Sequence, residues 1–135
     1  FGGHPVSAAA ALANLRVLRQ GNYTAKARII EKYARAILTG PGIVELRGMG
    51  AMLGLELRDR SLTQRVVERC FDKGILLGWT LHSNTLIRLA PPLTIPINLL
   101  VKTLESIKQA IEVAVDETIK NTVEKRLKIL SKSAN

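Results

Sequence analysis

Arg88 is the residue of this chain best placed to do chemistry on a ligand. It lies in the run Leu86-Ile87-Arg88-Leu89-Ala90, directly followed by Pro91-Pro92. Proline cannot donate to a strand ladder, so the pair must stop the strand. A strand end followed by two prolines is a rigid mount. A planar guanidinium on such a mount can take a carboxylate through two parallel hydrogen bonds. Spacing alone favours the plainer reading, an arginine on the solvated face of an edge strand. Gly2 and Gly3 are the second candidates. They form a turn with His4 and Pro5 just ahead of an alanine-rich run. Glycines let the backbone approach a phosphate closely, and helix N-termini favour anions. The same residues also read as an ordinary turn before a helix.

Other chemistry is sparse. Lys26, Lys32, Lys102, Lys108 and Lys120 fall at helical, mostly polar-facing positions. A nucleophilic lysine needs desolvation or a neighbouring cation to lower its pKa, and none of these has such a setting. His4, His82 and Cys70 are far apart and lack ligand spacing, so no metal site is expected. His82 is expected in an exposed turn. Cys70, beside Val66, Val67 and Phe71, reads as a buried structural thiol. A single cysteine excludes an internal disulfide and suits a reducing, cytoplasmic setting. No residue is singled out as catalytic.

The elements that must position these residues follow from periodicity and breakers. Pro5 starts a helix rich in alanine and leucine, and Gly21-Asn22 breaks or kinks it. A second helical stretch carries Ala27, Ile30, Ala34 and Ile37 on one face and stops at Gly40-Pro41-Gly42. The period then changes. Val44 and Leu46 alternate with Glu45 and Arg47, Gly48-Met49-Gly50 reads as a tight turn, and Leu53, Leu55 and Leu57 alternate in return. That is an antiparallel hairpin. Asp59 or Ser61 caps the next helix, with Leu62, Val66 and Cys70 on one face and Lys73-Gly74 at its end. Strands are expected over 75–80 and 85–90, with His82-Ser83-Asn84 between them. The last helix starts near Pro96. Ile97, Leu100, Leu104, Ile107, Ile111 and Val115 make its apolar stripe, continued more weakly by Ile119, Val123, Leu127 and Leu130. This order predicts an α+β fold with helices on one face of a small, largely antiparallel sheet, preceded by a long helix that stands apart.

Bulk properties narrow the function classes. The chain has 135 residues, 47% of them hydrophobic, so it is long enough for a real core and is not disordered in composition. No apolar run approaches the ~18 residues of a membrane span. The net charge is +9, but the bases are dispersed and only 4% of residues are aromatic. A solvated helical face explains that charge better than a nucleic-acid platform. The opening Phe1-Gly2-Gly3-His4-Pro5 reads like the middle of a protein, so the chain is expected to be a fragment.

Three motifs in order carry a resemblance. Phe1-Gly2-Gly3-His4-Pro5-Val6-Ser7-Ala8-Ala9-Ala10-Ala11-Leu12 resembles the glycine-rich turn and helix start of class III aminotransferases, which depend on pyridoxal phosphate (PLP). Members usually carry Asn where His4 stands, and some branches carry His. The stretch from Leu46 to Leu57 resembles the small-domain hairpin of that family, and Leu86 to Leu93 resembles its late strand with a proline pair. The resemblance covers residues 1 to about 115.

It implies a fold-type I enzyme with a large PLP-binding domain and a small C-terminal domain, working as a homodimer. On this scheme residues 1–40 connect to the absent large domain, 41–116 form the small domain, and 117–135 are a helical extension. The Schiff-base lysine and a phosphate-binding threonine would precede Phe1, leaving this chain inactive alone. The resemblance also implies that Gly2 and Gly3 lie near the cofactor and that Arg88 binds the α-carboxylate of a substrate such as glutamate or 2-oxoglutarate. The partners would be amino-acid and 2-oxo-acid substrates, with neither nucleic acid nor membrane. The alternative is a non-catalytic binding or dimerisation module derived from this fold. Its signature would be a polar replacement of the apolar face over residues 6–18, where this sequence instead has alanine, leucine and valine.

Overall fold

The computed structural model describes residues 2–79 and 83–133, so His82, expected in an exposed turn, lies outside the described residues. Helix α1 (Pro5–Gln20) starts with proline, whose missing N–H is not needed in a first turn. It stops at Gly21, whose N–H donates to the Val17 carbonyl at 2.9 Å. Asn22 turns the chain with a φ of 48°. Helix α2 (Tyr23–Ile37) follows as a separate helix, as the Gly21-Asn22 break predicted.

Strands β1 (Ile43–Met49) and β2 (Met52–Leu57) form the expected antiparallel hairpin, but its turn lies later than predicted. Met49 pairs with Met52, so Gly50-Ala51 makes the turn and Gly48 stays in the strand opposite Leu53. Gly48 has a φ of 114°, and a Cβ there would sit 2.3 Å from the Met52 carbonyl oxygen. No other residue type fits that kink. A second departure concerns Val44, expected to share a face with Leu46. The register shifts between Ile43 and Glu45, so Ile43 and Leu46 turn inward and Val44 is 65% exposed. An extra residue in one strand reverses the facing of what precedes it.

Helix α3 (Arg60–Asp72) is capped by Asp59, whose carboxylate accepts the Leu62 N–H at 2.9 Å. Its end is a Schellman motif, with the Gly74 N–H on the Phe71 carbonyl and the Ile75 N–H on the Cys70 carbonyl, both at 2.8 Å. The strand expected over 75–80 is shorter in the described residues. Only β3 (Gly78–Trp79) pairs, against β4 (Leu86–Leu89). Helix α4 (Ile97–Ser133) closes the chain.

The sheet has the order β1-β2-β4-β3, antiparallel throughout. Leu53, Leu55 and Leu57 of β2 and Ile87 and Leu89 of β4 point to one face. There they meet Leu62, Val66 and Cys70 of α3, the stripe from Leu100 to Val115 of α4, and Ile30 and Ala34 of α2. The α4 stripe starts at Leu100, because Ile97 is exposed. Of the two leading helices only α1 stands clear of this core, with no residue buried. Beyond Val115, α4 continues as helix with Ile119, Val123, Leu127 and Leu130 exposed. No helix among the described residues is long and apolar enough to cross a membrane.

Leu55 is fully buried at the centre of this core. Leu55→Ala is expected to lower the unfolding free energy by about 2–5 kcal/mol in urea titrations. Asp59→Ala, which removes only the α3 cap, is expected to cost about 1 kcal/mol in the same assay.

Candidate functional site

The core claims one face of the sheet and leaves the other outward. Strand alternation then assigns its residues. Arg88 lies on β4 between two inward neighbours, Ile87 and Leu89, and is itself exposed. In register it faces Gly54 of β2 on one side and Gly78 of β3 on the other. No hydrogen bond or ion pair engages its guanidinium among the described residues. Two shallow clefts meet at this side chain. One is lined by Met49, Met52, Gly54 and Leu86 on the outward face. The other runs along Leu76, Leu77, Pro91 and Pro92 toward α4.

Arg47 is the other arginine on this face, and its charge is already answered. It ion-pairs with Glu56 at 3.1 Å and Glu45 at 3.5 Å. Glu56 in turn accepts a hydrogen bond from the Thr85 hydroxyl. The outward face therefore carries one neutralised arginine and one free arginine, with Met49 and Met52 exposed beside them. Sequence reasoning missed this network. Its signal was present as Glu45, Arg47 and Glu56, but reading it requires the correct hairpin register.

A second cluster was also missed, because α2 read as a solvated basic face. Glu31 accepts the Gly50 N–H at 2.7 Å through one oxygen and the Arg35 Nε–H at 2.9 Å through the other. Arg35 also donates to the Leu46 and Gly48 carbonyls at 2.8 and 2.9 Å. These bonds pin the hairpin tip, and with it the outward methionines, to α2. The Gly50 N–H, and then the Arg35 guanidinium, hold the Glu31 carboxyl below the usual carboxylate range. Cys70 has no such role. It is buried as expected, and desolvation pushes its thiol up to about 11.

Gly2 and Gly3 sit at the head of α1, Gly3 with a φ of 83°. Nothing lies within 4 Å of where a Cβ would stand at either position. His4 occupies the cap position without a side-chain bond, so the first N–H groups of α1 have no side-chain cap. That end has the polarity and the open space a phosphate uses. α1 buries nothing against the sheet, so the chain by itself does not join this turn and Arg88 into one pocket. The PLP implied by the sequence motifs also needs a lysine in a desolvated setting. Among the described residues no lysine is buried. Lys26 lies 4.3 Å from the centroid of the Tyr23 ring, and Lys73 donates to Gln109 at 2.8 Å. The residues of this chain therefore do not fit the covalent part of a PLP site.

Comparison with known proteins gives a consistent picture. The model of the aminotransferase class-III family matches residues 1–111. The chain is similar to ornithine aminotransferase from Toxoplasma gondii, with 27% identity and a TM-score of 0.75 over 87% of this chain and 29% of that one. It is similar to acetylornithine aminotransferase from Elizabethkingia anophelis, with 27% identity and a TM-score of 0.73 over 82% of this chain and 30% of that one. A transaminase from directed evolution by ancestral reconstruction shares 31% identity and a TM-score of 0.71 over 85% of this chain and 28% of that one. The chain thus spans less than a third of the length of these solved relatives.

The Glu31 cluster makes a pH prediction with a definite sign. A carboxyl with a lowered folded pKa contributes stability above its unfolded pKa and loses it as pH falls through the folded value. Hydrogen exchange at the Gly50 amide, corrected for intrinsic rate, is expected to lose protection only as pH falls below the ordinary glutamate range. Glu31→Gln is expected to show weakened protection already at neutral pH and no such acid step.

Proposed function

The chain belongs to the class-III aminotransferases, and on that premise we propose that it is the C-terminal portion of an enzyme that moves an amino group from an amino acid or ω-amine to a 2-oxo acid such as 2-oxoglutarate. Its part is to recognise the substrate carboxylate and to help close the cleft. Arg88 carries this reading. It is the one outward cation on the described sheet face without a partner, while Arg47 beside it is paired with two glutamates. A guanidinium left uncompensated on a rigid strand suits bidentate capture of a carboxylate. The names of two relatives, ornithine and acetylornithine aminotransferase, are those of enzymes whose substrates carry that group.

In the whole enzyme, residues 1–40 would connect to a large domain, 41–116 would form the small domain, and 117–135 would extend from it. The apolar surface of α1 supports this assignment. Val6, Leu12, Leu15 and Val17 are all exposed and are suited to cover by further protein. That surface is also why a free-standing module is the weaker reading, since such a module would present polar residues there. The N–H groups behind Gly2 and Gly3 would approach the cofactor phosphate. PLP supplies the electron sink in this family. The lysine that holds it would come from outside these 135 residues, from a cytoplasmic homodimer's large domain, and this chain alone would be inactive.

Two measurements test the reading. The 135-residue chain mixed with PLP and then borohydride is expected to show no internal-aldimine band and no reduced adduct by intact mass. A stoichiometric adduct at one lysine would overturn the assignment of the lysine to another segment. In the whole enzyme, Arg88→Gln is expected to raise KM for the 2-oxo acid roughly 10- to 100-fold, the worth of a charge-assisted bidentate contact. Arg88→Lys is expected to rescue little of it, because an ammonium lacks the planar fork.

A further inference from the structure

We infer that Gly78 sets the orientation of the Arg88 guanidinium, and is thereby a positioning residue for carboxylate recognition; this rests on the reading of Arg88 given above. The observation is a pair of glycines facing one arginine. Residues directly opposite in antiparallel strands have Cβ atoms about 4.5–5.5 Å apart, so neighbours of Arg88 would ordinarily pack against its stem. Both neighbours, Gly54 and Gly78, lack a side chain.

The two vacancies are filled differently. A Cβ at Gly54 would meet Leu86 Cδ1 at 3.0 Å and Arg47 Cγ at 3.6 Å, so other side chains already close that space. A Cβ at Gly78 would meet only Arg88 among its nearest atoms, with Nε at 3.4 Å and Cβ and Nη2 at 3.6 Å. The Arg88 side chain therefore lies along β3, over the bare backbone of Gly78. Its guanidinium has no hydrogen-bond partner among the described residues to hold it there. A small residue at position 78, with no branch beyond Cβ, is what admits this orientation.

The backbone gives no other reason for glycine at this position. Gly78 is absent from the residues with positive φ, so its conformation is open to any side chain. Glycine inside a strand is unfavourable, and β-branched residues are preferred. A strand glycine without a conformational cause marks a place where something must approach closely. Here the Arg88 side chain lies alongside, at ordinary contact distance from a Cβ but in the space a branched side chain would fill, and its plane must be presented correctly for two parallel hydrogen bonds to one carboxylate.

The test uses three variants of the whole enzyme. At 3.4 Å or more a single added carbon makes ordinary contact, so Gly78→Ala is expected to leave KM for the 2-oxo acid within about twofold of the parent. Gly78→Val adds a Cβ that carries two methyl groups into the space of the guanidinium. It is expected to raise that KM about tenfold, the loss of one charge-assisted hydrogen bond, while kcat changes by less than about twofold. Phenylglyoxal labelling of Arg88, followed by peptide mass, reads the same change without turnover. Protection by 2-oxoglutarate is expected in the parent and is expected to be lost in Gly78→Val. Valine favours strands, so the unfolding midpoint should hold; if it falls, Gly78→Thr repeats the test with a polar branch. Parent-like KM and protection in Gly78→Val would overturn the inference. If Arg88→Gln also leaves KM unchanged, the carboxylate reading fails with it; if Arg88→Gln raises KM, only the role of Gly78 fails.

Discussion

In the ladder between β2 and β4, Leu53 faces Leu89 and Leu55 faces Ile87, while Gly54 faces Arg88 and Glu56 faces Leu86. Every other feature depends on this pairing. The first two pairs put leucine and isoleucine side chains on one face, where α2, α3 and α4 cover them. The second two put a glycine, two charged residues and one leucine on the other. A slip of one residue would exchange the faces, burying Arg88 without a partner and exposing four large apolar side chains. Burial of an unpaired charge is far more costly than any single contact in this sheet, so the register has one acceptable setting.

The helices convert that one-sided sheet into a platform with a defined outer surface. α3 and α4 pack over it and are joined at their edges by polar bonds. Arg65 donates to the Thr118 hydroxyl at 2.6 Å, and Arg69 pairs with Glu117. α2 acts at the opposite end through Glu31 and Arg35, which hold backbone groups of β1 and of the turn. Part of what looks like surplus basic charge thus engages carbonyl oxygens and carboxylates. The consequence for function is selective neutralisation. On the outward sheet face Arg47 is compensated and Arg88 is left free, on the strand that Pro91-Pro92 terminates.

Two parts of the chain lie outside this platform. α1 presents exposed valine and leucine and buries none of its residues, and the last four turns of α4 carry exposed isoleucine, valine and leucine. The first lies within the stretch that matches the class-III aminotransferases, and the second lies past its end at residue 111. Most helical stability in proteins comes from tertiary packing. For α1, cover by a larger domain is part of the proposed reading, in which that domain would bring Gly2-Gly3 and Arg88 to one site.

The sequence by itself determined the order of elements, the breaks between them and the one-faced sheet. Alternation of Leu53, Leu55 and Leu57, the Gly21-Asn22 break, the Asp59 cap and the proline stop after Ala90 are local signals that tertiary contacts did not need to alter. It also determined family membership, through motifs whose residue types are individually weak and jointly specific. Tertiary structure decided what depends on register and on distant partners. A turn at Gly48-Met49-Gly50 would have set Arg47 opposite Ala51; the real turn at Gly50-Ala51 sets it opposite Gly54, beside Glu56 and on the face of Arg88. The capture of the Gly50 N–H by Glu31, 19 residues away, accompanies that choice and could not be read from either segment alone. The freedom of Arg88 is of the same kind. A charge is free or paired only by virtue of what folds beside it, and here a glycine on β3 leaves room for its side chain.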